Sequence, residues 1–405
     1  MIVRKIRQTE LKRCNELSAL CFASPMEKAD LSPEEYARDV LTNPRSRESM
    51  QWENRWAAFE DDDETMMASF AVVPWSANLD GHEVSMGSIS SVTTLPQYRR
   101  CGAIRACFEE ALVDMHRNGM VLSYLYPFSN SFYRRFGYEP ACDVVKWRLR
   151  LEGMPVPVFT GSWELCEPDN PRLADIRAVD AVRQRRYNCM VIAGEMEYLW
   201  LAENPYVTME STYVYYDGSG IPRSYMSVKA VPGQDLTCKR FVFNDREGFL
   251  GLLGLLKRFQ SRSTTHVSLI LPTDVDLQGL LPEYRCGNVE RTVQQCIMAR
   301  VINVEAALHN AKMRGSGTLR IAVSDGFISE NNAVFELRFA PGRDNEIHRT
   351  SAVPDIELNI GDFSRLLLGG CALDPEWLPG LKLNCSSEAV SQVFYRKPVF
   401  ISQYF

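Results

Sequence analysis

Between residues 88 and 126 the chain passes from a strand pattern through a glycine turn into a long amphipathic helix, then into an apolar strand, an order few architectures accept. Ile104, Cys107, Phe108, Ala111, Leu112 and Met115 follow helical spacing, so one apolar stripe runs down one face. Asn118-Gly119 stops that helix, and 121–126 reads as a buried strand. Upstream lie a strand over 1–8 and helices over 10–22 and 32–41, the second opened by Ser32 as cap and Pro33 at the first position. Strands over 55–59 and 66–73 flank Glu60-Asp61-Asp62-Asp63-Glu64, a hairpin tip whose charges read as a solvated turn. A strand over 144–151 completes this block.

Residues 153–160, GMPVPVFT, dissolve into a Pro/Gly linker. Beyond it the order repeats: a helical region over 172–204, strands over 212–216, 224–231 and 239–243, a leucine-rich helix over 247–259 and a strand over 267–271. Strand, strand, strand, helix, strand twice suggests a duplicated fold. From Cys296 the texture changes to a helix over 304–312, strands over 318–323, 333–339 and 355–360, a helix over 360–368 and the closing KPVFISQYF. The expected class is α+β with mixed α/β sheets, in domains of 1–150, 151–295 and 296–405.

Charge and cysteine usage exclude several functions. With 45 Lys+Arg against 51 Asp+Glu the net charge is −6, which disfavours nucleic acid as a partner. Apolar runs such as 249–256 fall far short of the ~18 residues of a membrane span, and the N-terminus lacks the apolar core of a secretory signal. Twelve cysteines are scattered without C-x-x-C, and the five histidines never reach metal-ligand spacing, so no metal is expected. Most of the cysteines sit in apolar company, as small buried hydrophobes of a reducing cytoplasm.

The informative chemistry is Thr94-Leu-Pro-Gln-Tyr-Arg-Arg-Cys-Gly-Ala-Ile-Arg105, set between strand and helix. Gly102 permits a tight turn, after which the first helix amides point into a common space. With Arg99, Arg100 and Arg105 nearby this is either an anion site suited to a pyrophosphate or a short basic loop on a solvated face. G-K-[ST], G-x-G-x-x-G and G-x-S-x-G are all absent. Tyr133 by itself reads as an aromatic packed on Phe136 and Tyr138.

Arg99-x-x-Gly102 after a strand, the amphipathic helix, the apolar strand, and Phe132-Tyr133-Arg134-Arg135-Phe136-Gly137-Tyr138 resemble the GCN5-related N-acetyltransferases (GNAT), and within them the Eis-like branch. Ile104 departs from the small residue of the consensus, as that branch tolerates. The resemblance implies two tandem GNAT-like domains followed by a sterol-carrier-protein-2-like domain, assembled as a homohexamer.

It also implies an acetyl-CoA-dependent N-acetyltransferase that attacks directly in a ternary complex, with acetyl-CoA as co-substrate. The acceptor would be a primary amine of a small molecule or peptide: a polyamine, an aminoglycoside-like compound or lysine. The cofactor would lie where Val92, Thr93 and Thr94 splay from strand 121–126, with its pyrophosphate on Arg99, Arg100, Cys101, Gly102, Ala103, Ile104 and Arg105. Phe128 and Ser129 would line it, Tyr133 would protonate the departing thiolate, and the α-carboxylate of Phe405 would accept the amine proton through water. Phenols near pKa ~10 and terminal carboxylates near ~3.5 hold the required protonation states at neutral pH. Aminoglycoside-acetylating members carry acidic groups where this chain has Phe22-Ala23-Ser24-Pro25 and Tyr404, leaving Glu27, Asp30, Glu34 and Glu35 as the candidate cation site.

The middle block has Asn244-Asp245-Arg246-Glu247 where the phosphate loop belongs, and is expected to bind no CoA. A rival reading is a lipid- or ligand-binding protein, with Leu366, Leu367 and Leu368 lining a cavity in the third module, though these leucines fit a core stripe equally.

Overall fold

The computed structural model describes residues 1–26, 28–42, 52–154, 158–201, 203–231, 233–281, 288–371, 373, 378 and 380–401. The chain begins β1 (Ile2–Lys5), α1 (Leu11–Phe22), α2 (Pro33–Thr42), β2 (Arg55–Phe59), β3 (Met66–Leu79), β4 (His82–Thr94), α3 (Ala103–Arg117), β5 (Leu122–Leu125) and α4 (Asn130–Arg134). These strands lie in the order β1-β2-β3-β4-β5, antiparallel through β4, with β5 parallel to β4. The crossover is α3, and its stripe of Ile104, Cys107, Phe108, Ala111, Leu112 and Met115 is buried against Phe70, Phe136 and Tyr138. At α2, Ser32 and Glu35 form a reciprocal cap, Glu35 N–H to Ser32 Oγ at 3.3 Å and Ser32 N–H to Glu35 Oε2 at 3.0 Å.

Two expectations here change. β3 continues past Val73 and through Pro74, paired with β4 as far as Leu79↔His82. The acidic tip is not merely solvated: Asp63 Oδ1 accepts from Arg4 Nε at 2.7 Å, and Glu60 accepts from the Tyr98 hydroxyl.

Two compact units emerge from the contacts, one of Met1–Ala141 with Ile297–Lys397 and Ile401, the other of Cys142–Cys296 with Pro398–Phe400. The second unit holds most of β6 (Glu139–Arg150), then β7 (Ser162–Leu165), α5 (Leu173–Arg186), β8 (Val191–Ile192), α6 (Glu195–Leu201), α7 (Pro205–Thr208), β9 (Glu210–Tyr216), β10 (Pro222–Lys229), β11 (Leu236–Phe243), α8 (Arg246–Arg258) and β12 (His266–Pro272). β9, β10 and β11 are antiparallel, and β12 returns parallel to β11 through α8. That is the topology of β2-β3-β4-α3-β5 written a second time. The helical region expected over 172–204 holds two helices, α5 and α6, with the short strand β8 between them. It breaks where Cys189 takes a positive φ of 64° and Asn188 receives the tail, its N–H donating to Pro398 O at 2.8 Å.

The first unit is completed by the end of β13 (Val289–Val301), α9 (Val304–Asn310), β14 (Gly317–Ser324), β15 (Ala333–Phe339), β16 (Glu346–Thr350), β17 (Ile356–Asn359), α10 (Ile360–Leu367), β18 (Lys382–Leu383) and α11 (Ser387–Ser391). Met298–Val301 pair antiparallel with β5, and the remaining strands form a separate sheet in the order β16-β15-β14-β17-β18. β16 escapes the sequence reading because Glu-Ile-His-Arg-Thr is polar and half exposed, without an alternating pattern. Leu366, Leu367 and Leu368 are buried in the module's core. Val399, Phe400 and Ile401 are buried as their apolarity suggests, while Tyr404 and Phe405 lie outside the described residues.

Lys397 Nζ meets Asp80 Oδ2 at 2.5 Å and Leu367 O at 3.0 Å, with both charged side chains buried. Removing one partner leaves an uncompensated buried charge. Lys397→Met is therefore expected to lose about 3–5 kcal/mol of unfolding free energy, and the double variant Lys397→Met/Asp80→Asn less, as read from urea denaturation of both.

Candidate active site

The site is built from strand pairing that stops early. β4 and β5 pair at Met86↔Leu122, Gly87↔Ser123, Ser88↔Tyr124 and Ile89↔Leu125. β5 then ends while β4 runs on to Thr94. Immediately past the last pair Ser91 adopts φ 55°, and the β3–β4 register shifts there, a bulge that re-aims the strand. Beyond it Leu95 N–H returns to Met67 O on β3 at 3.0 Å, and Thr93 Oγ1 donates to Ser69 O at 3.1 Å. Backbone direction alternates along a strand, so with Thr93 and Leu95 turned to β3 the amide groups of Val92 and Thr94 face the open fork. Cys21 Sγ already donates to Thr94 O at 3.4 Å.

The loop from Leu95 to Gly102 leads from this edge to α3. Pro96–Tyr98 form one 3-10 turn, Arg100 has φ 68°, and Gly102 caps α3 with φ 89° and no side-chain hydrogen bond. The first intrahelical bond is Ala106 N–H to Gly102 O at 3.0 Å, which leaves the amides of Ala103, Ile104 and Arg105 directed out of the helix start. No acidic residue lies in the first turn of α3, so the positive end of its dipole is not neutralised there. Arg99, Arg100 and Arg105 are exposed around it, Arg105 paired with Glu109 at 2.9 Å. Cys101 Sγ is exposed and donates to Tyr98 O at 2.8 Å. The local physics favours an anion site over an indifferent basic loop, and the donor set fits a pyrophosphate.

After β5, Phe128 is 69 % exposed and Ser129 caps α4, its Oγ accepting from Phe132 N–H at 3.4 Å. Tyr133 follows on α4, only 2 % exposed, with Phe128 and Phe132 ring centroids 5.2 and 5.1 Å away. Burial, reinforced by Tyr138, pushes the Tyr133 phenol well above its ordinary value. The Tyr138 phenol, also raised by burial to about 12, meets Ser123 Oγ at 2.7 Å. The turn carrying both tyrosines is held from β13: buried Arg300 donates Nη1 to Phe136 O and Nη2 to both Asp325 carboxylate oxygens, at 2.8 and 2.6 Å.

Val92, Thr94, Arg99–Arg105, Phe128, Ser129 and Tyr133 thus belong to one unit, with Thr93 engaged in holding β4 to β3. Phe405 and Glu27 lie outside the described residues. Of the candidate acids, Asp30 and Glu34 are exposed and Glu35 serves the α2 cap. Glu34 lines a surface cleft with Gln8, Thr9 and Arg38 that includes no residue of the anion site. Sequence reasoning missed Ser91, Cys21, Tyr98, Arg300 and Asp325. Only Arg300 had a signal, a lone charge inside the apolar run Cys-Ile-Met-Ala-Arg-Val-Ile. Among the described residues no three His, Cys, Asp or Glu side chains gather as a metal site, and no helix is long and apolar enough to cross a membrane.

In the middle unit the equivalent helix start is filled from within. Asp245 caps α8, its Oδ1 accepting from Gly248 N–H at 2.8 Å while Oδ2 takes Arg223 Nη1 at 3.1 Å.

Comparison with known families gives this arrangement a class. The family model described as acetyltransferase (GNAT) domain matches residues 2–141, and the one described as sterol carrier protein domain matches 304–391. The chain thus carries a GNAT acetyltransferase domain and a sterol carrier protein domain, which makes it an acyltransferase. Among solved structures, a probable N-acyltransferase from Enterococcus faecalis V583 is similar at TM-score 0.85 and 20 % identity, over 100 % of this chain and 99 % of that one. A GCN5-related N-acetyltransferase from Anabaena variabilis reaches 0.83 at 18 % identity, and Eis1 from Mycobacterium abscessus 0.78 at 18 %, each over 100 % of both chains. At such identities the likeness establishes a shared fold. No curated protein matches this chain.

Gly102 has open space for a Cβ, so its constraint is the backbone conformation alone. Gly102→Ala is expected to lower stability by about 1–2 kcal/mol, whereas Ala in place of Cys101 should change it by less than about 0.5 kcal/mol. Thermal melts of the two variants check the contrast.

Proposed function

We propose that the protein transfers the acetyl group of acetyl-CoA to a primary amine of a small molecule or peptide by direct attack within a ternary complex. The observation that carries this reading is the end of β4 beyond its last pair with β5, beside a start of α3 that no side chain caps, ringed by Arg99, Arg100 and Arg105. An extended amide-bearing chain adds to such an edge as a strand would, and its phosphates meet the helix amides and the arginines. Backbone N–H at Val92 then lies where the thioester oxygen acquires negative charge. Tyr133 is the acid for the thiolate: burial keeps its phenol protonated at every working pH. The Phe405 α-carboxylate receives the amine proton through water. The capped α8 supports one CoA site per chain.

The same reading divides the chain at 1–150, 151–295 and 296–405, and makes the protein a cytoplasmic homohexamer, in keeping with eleven free cysteines among the described residues. The acceptor is a polyamine, lysine or aminoglycoside-like amine.

Acetyl-CoA titration by calorimetry should give one site per chain; two sites would refute the reading of α8. Tyr133→Phe should retain acetyl-CoA affinity and lose about a hundredfold or more in kcat. Because the phenol titrates above its ordinary value, loss of this acid adds no alkaline limb to wild-type kcat up to about pH 10. Deleting Phe405 alone should abolish amine-dependent CoA release at an unchanged melting temperature. Turnover near wild type in that variant would remove the terminal carboxylate from the mechanism.

A further inference from the structure

The loop after β14 reaches the anion site, and no step above uses it. Ile328 is buried in the same core as Ile104, Phe108 and Leu112 of α3, and Phe327 packs beside them. The Phe327 ring has the Phe136 ring at 5.8 Å, and its centroid lies 5.8 Å from the guanidinium carbons of both Arg300 and Arg105.

Phe327 is held firmly. Its N–H and that of Ile328 donate to Asp325 Oδ1 at 3.0 and 3.3 Å. The Asp325 carboxylate is fixed in turn by Arg300 and by Asn331 Nδ2 at 2.9 Å, and its backbone N–H and C=O are both bonded to the Asn332 side chain, at 2.8 and 2.9 Å. Arg105 is the opposite case, a long exposed side chain whose ion pair with exposed Glu109 contributes little and competes with any anion. An unrestrained arginine loses rotamer freedom when it grips a ligand, and a neighbour that limits its conformations beforehand reduces that loss.

We propose that Phe327, from the sterol-carrier module, is a positioning residue for the cofactor site: its ring holds the Arg105 guanidinium at the start of α3, where it meets the phosphates of acetyl-CoA. The inference rests on the acetyl-CoA reading of that site. The ring touches no reacting atom, so its effect falls on cofactor affinity and leaves the chemical step alone. Cation–π attraction at an exposed site is modest, which sets the scale at about two- to fivefold.

The test is acetyl-CoA calorimetry with steady-state kinetics on the full chain. Phe327→Leu keeps the apolar bulk and removes the aromatic face; it should weaken acetyl-CoA binding about two- to fivefold and leave kcat at saturation unchanged. Phe327→Tyr should restore wild-type affinity. Arg105→Gln should weaken binding at least as much, and adding Phe327→Leu to it should cost nothing further. Wild-type affinity in Phe327→Leu, or additive losses in the double variant, would overturn the proposal while wild-type binding leaves the function standing. Failure of wild type to bind acetyl-CoA would overturn the functional reading and this inference with it.

Discussion

Arg300 and Asp325 form an ion pair with no solvent exposure on either side chain. Two charges withdrawn from water are tolerable only when each finds its counterpart and enough further hydrogen bonds. Here the requirement organises the first unit. Arg300 also binds Phe136 O, fixing the turn after Tyr133. Asp325 gathers the amides of Phe327 and Ile328 with Asn331, whose Nδ2 also donates to Ile302 O at 2.9 Å. The strand leaving the middle unit, the tyrosine turn and the loop of the sterol-carrier module are thereby one polar network. That is the physical reason residues far apart in sequence cluster with the GNAT domain.

The unpaired end of β4 follows from a conformational choice at a single residue. Had β4 continued in ordinary extended geometry past Ile89, its amides would stay in register with a longer β5. Ser91 in the left-handed region redirects the strand, and Leu125 is the last partner β5 offers. A hydroxyl residue in that conformation is strained relative to glycine, and the long β3–β4 hairpin, paired from Ala68↔Thr94 to Leu79↔His82, holds it there. The acidic tip of the preceding hairpin contributes too, through the bond between Glu60 and Tyr98 in the loop leading to α3.

Periodicity made α3, α8 and the repeated strand order readable, because each buries a continuous apolar face. The glycine turn and the arginines were readable for the same local reason: Gly102 and the start of α3 are defined within a few residues. What stayed hidden depends on distant partners. Nothing near Thr94 foretells Cys21, and nothing near Tyr133 foretells Arg300, which reaches Phe136 O from 164 positions away. The break inside the helical region over 172–204 has no local signal, since the Asn188 N–H there bonds the distant Pro398 O. Polar strands such as Glu346–Thr350 leave no alternation to detect.

The two helix starts also differ in thermodynamic kind. Asp245 gives α8 a tethered anion at an effective concentration no dissolved ligand approaches, so that end is satisfied in every state of the cell. The start of α3 has no side-chain cap and no acidic residue in its first turn. Under the proposed function, acetyl-CoA bound at the start of α3 would stabilise the fold of the GNAT domain by mass action, and the middle unit would be indifferent to it. Of two copies of one topology, one has its helix start closed by its own side chain and the other leaves that start without one.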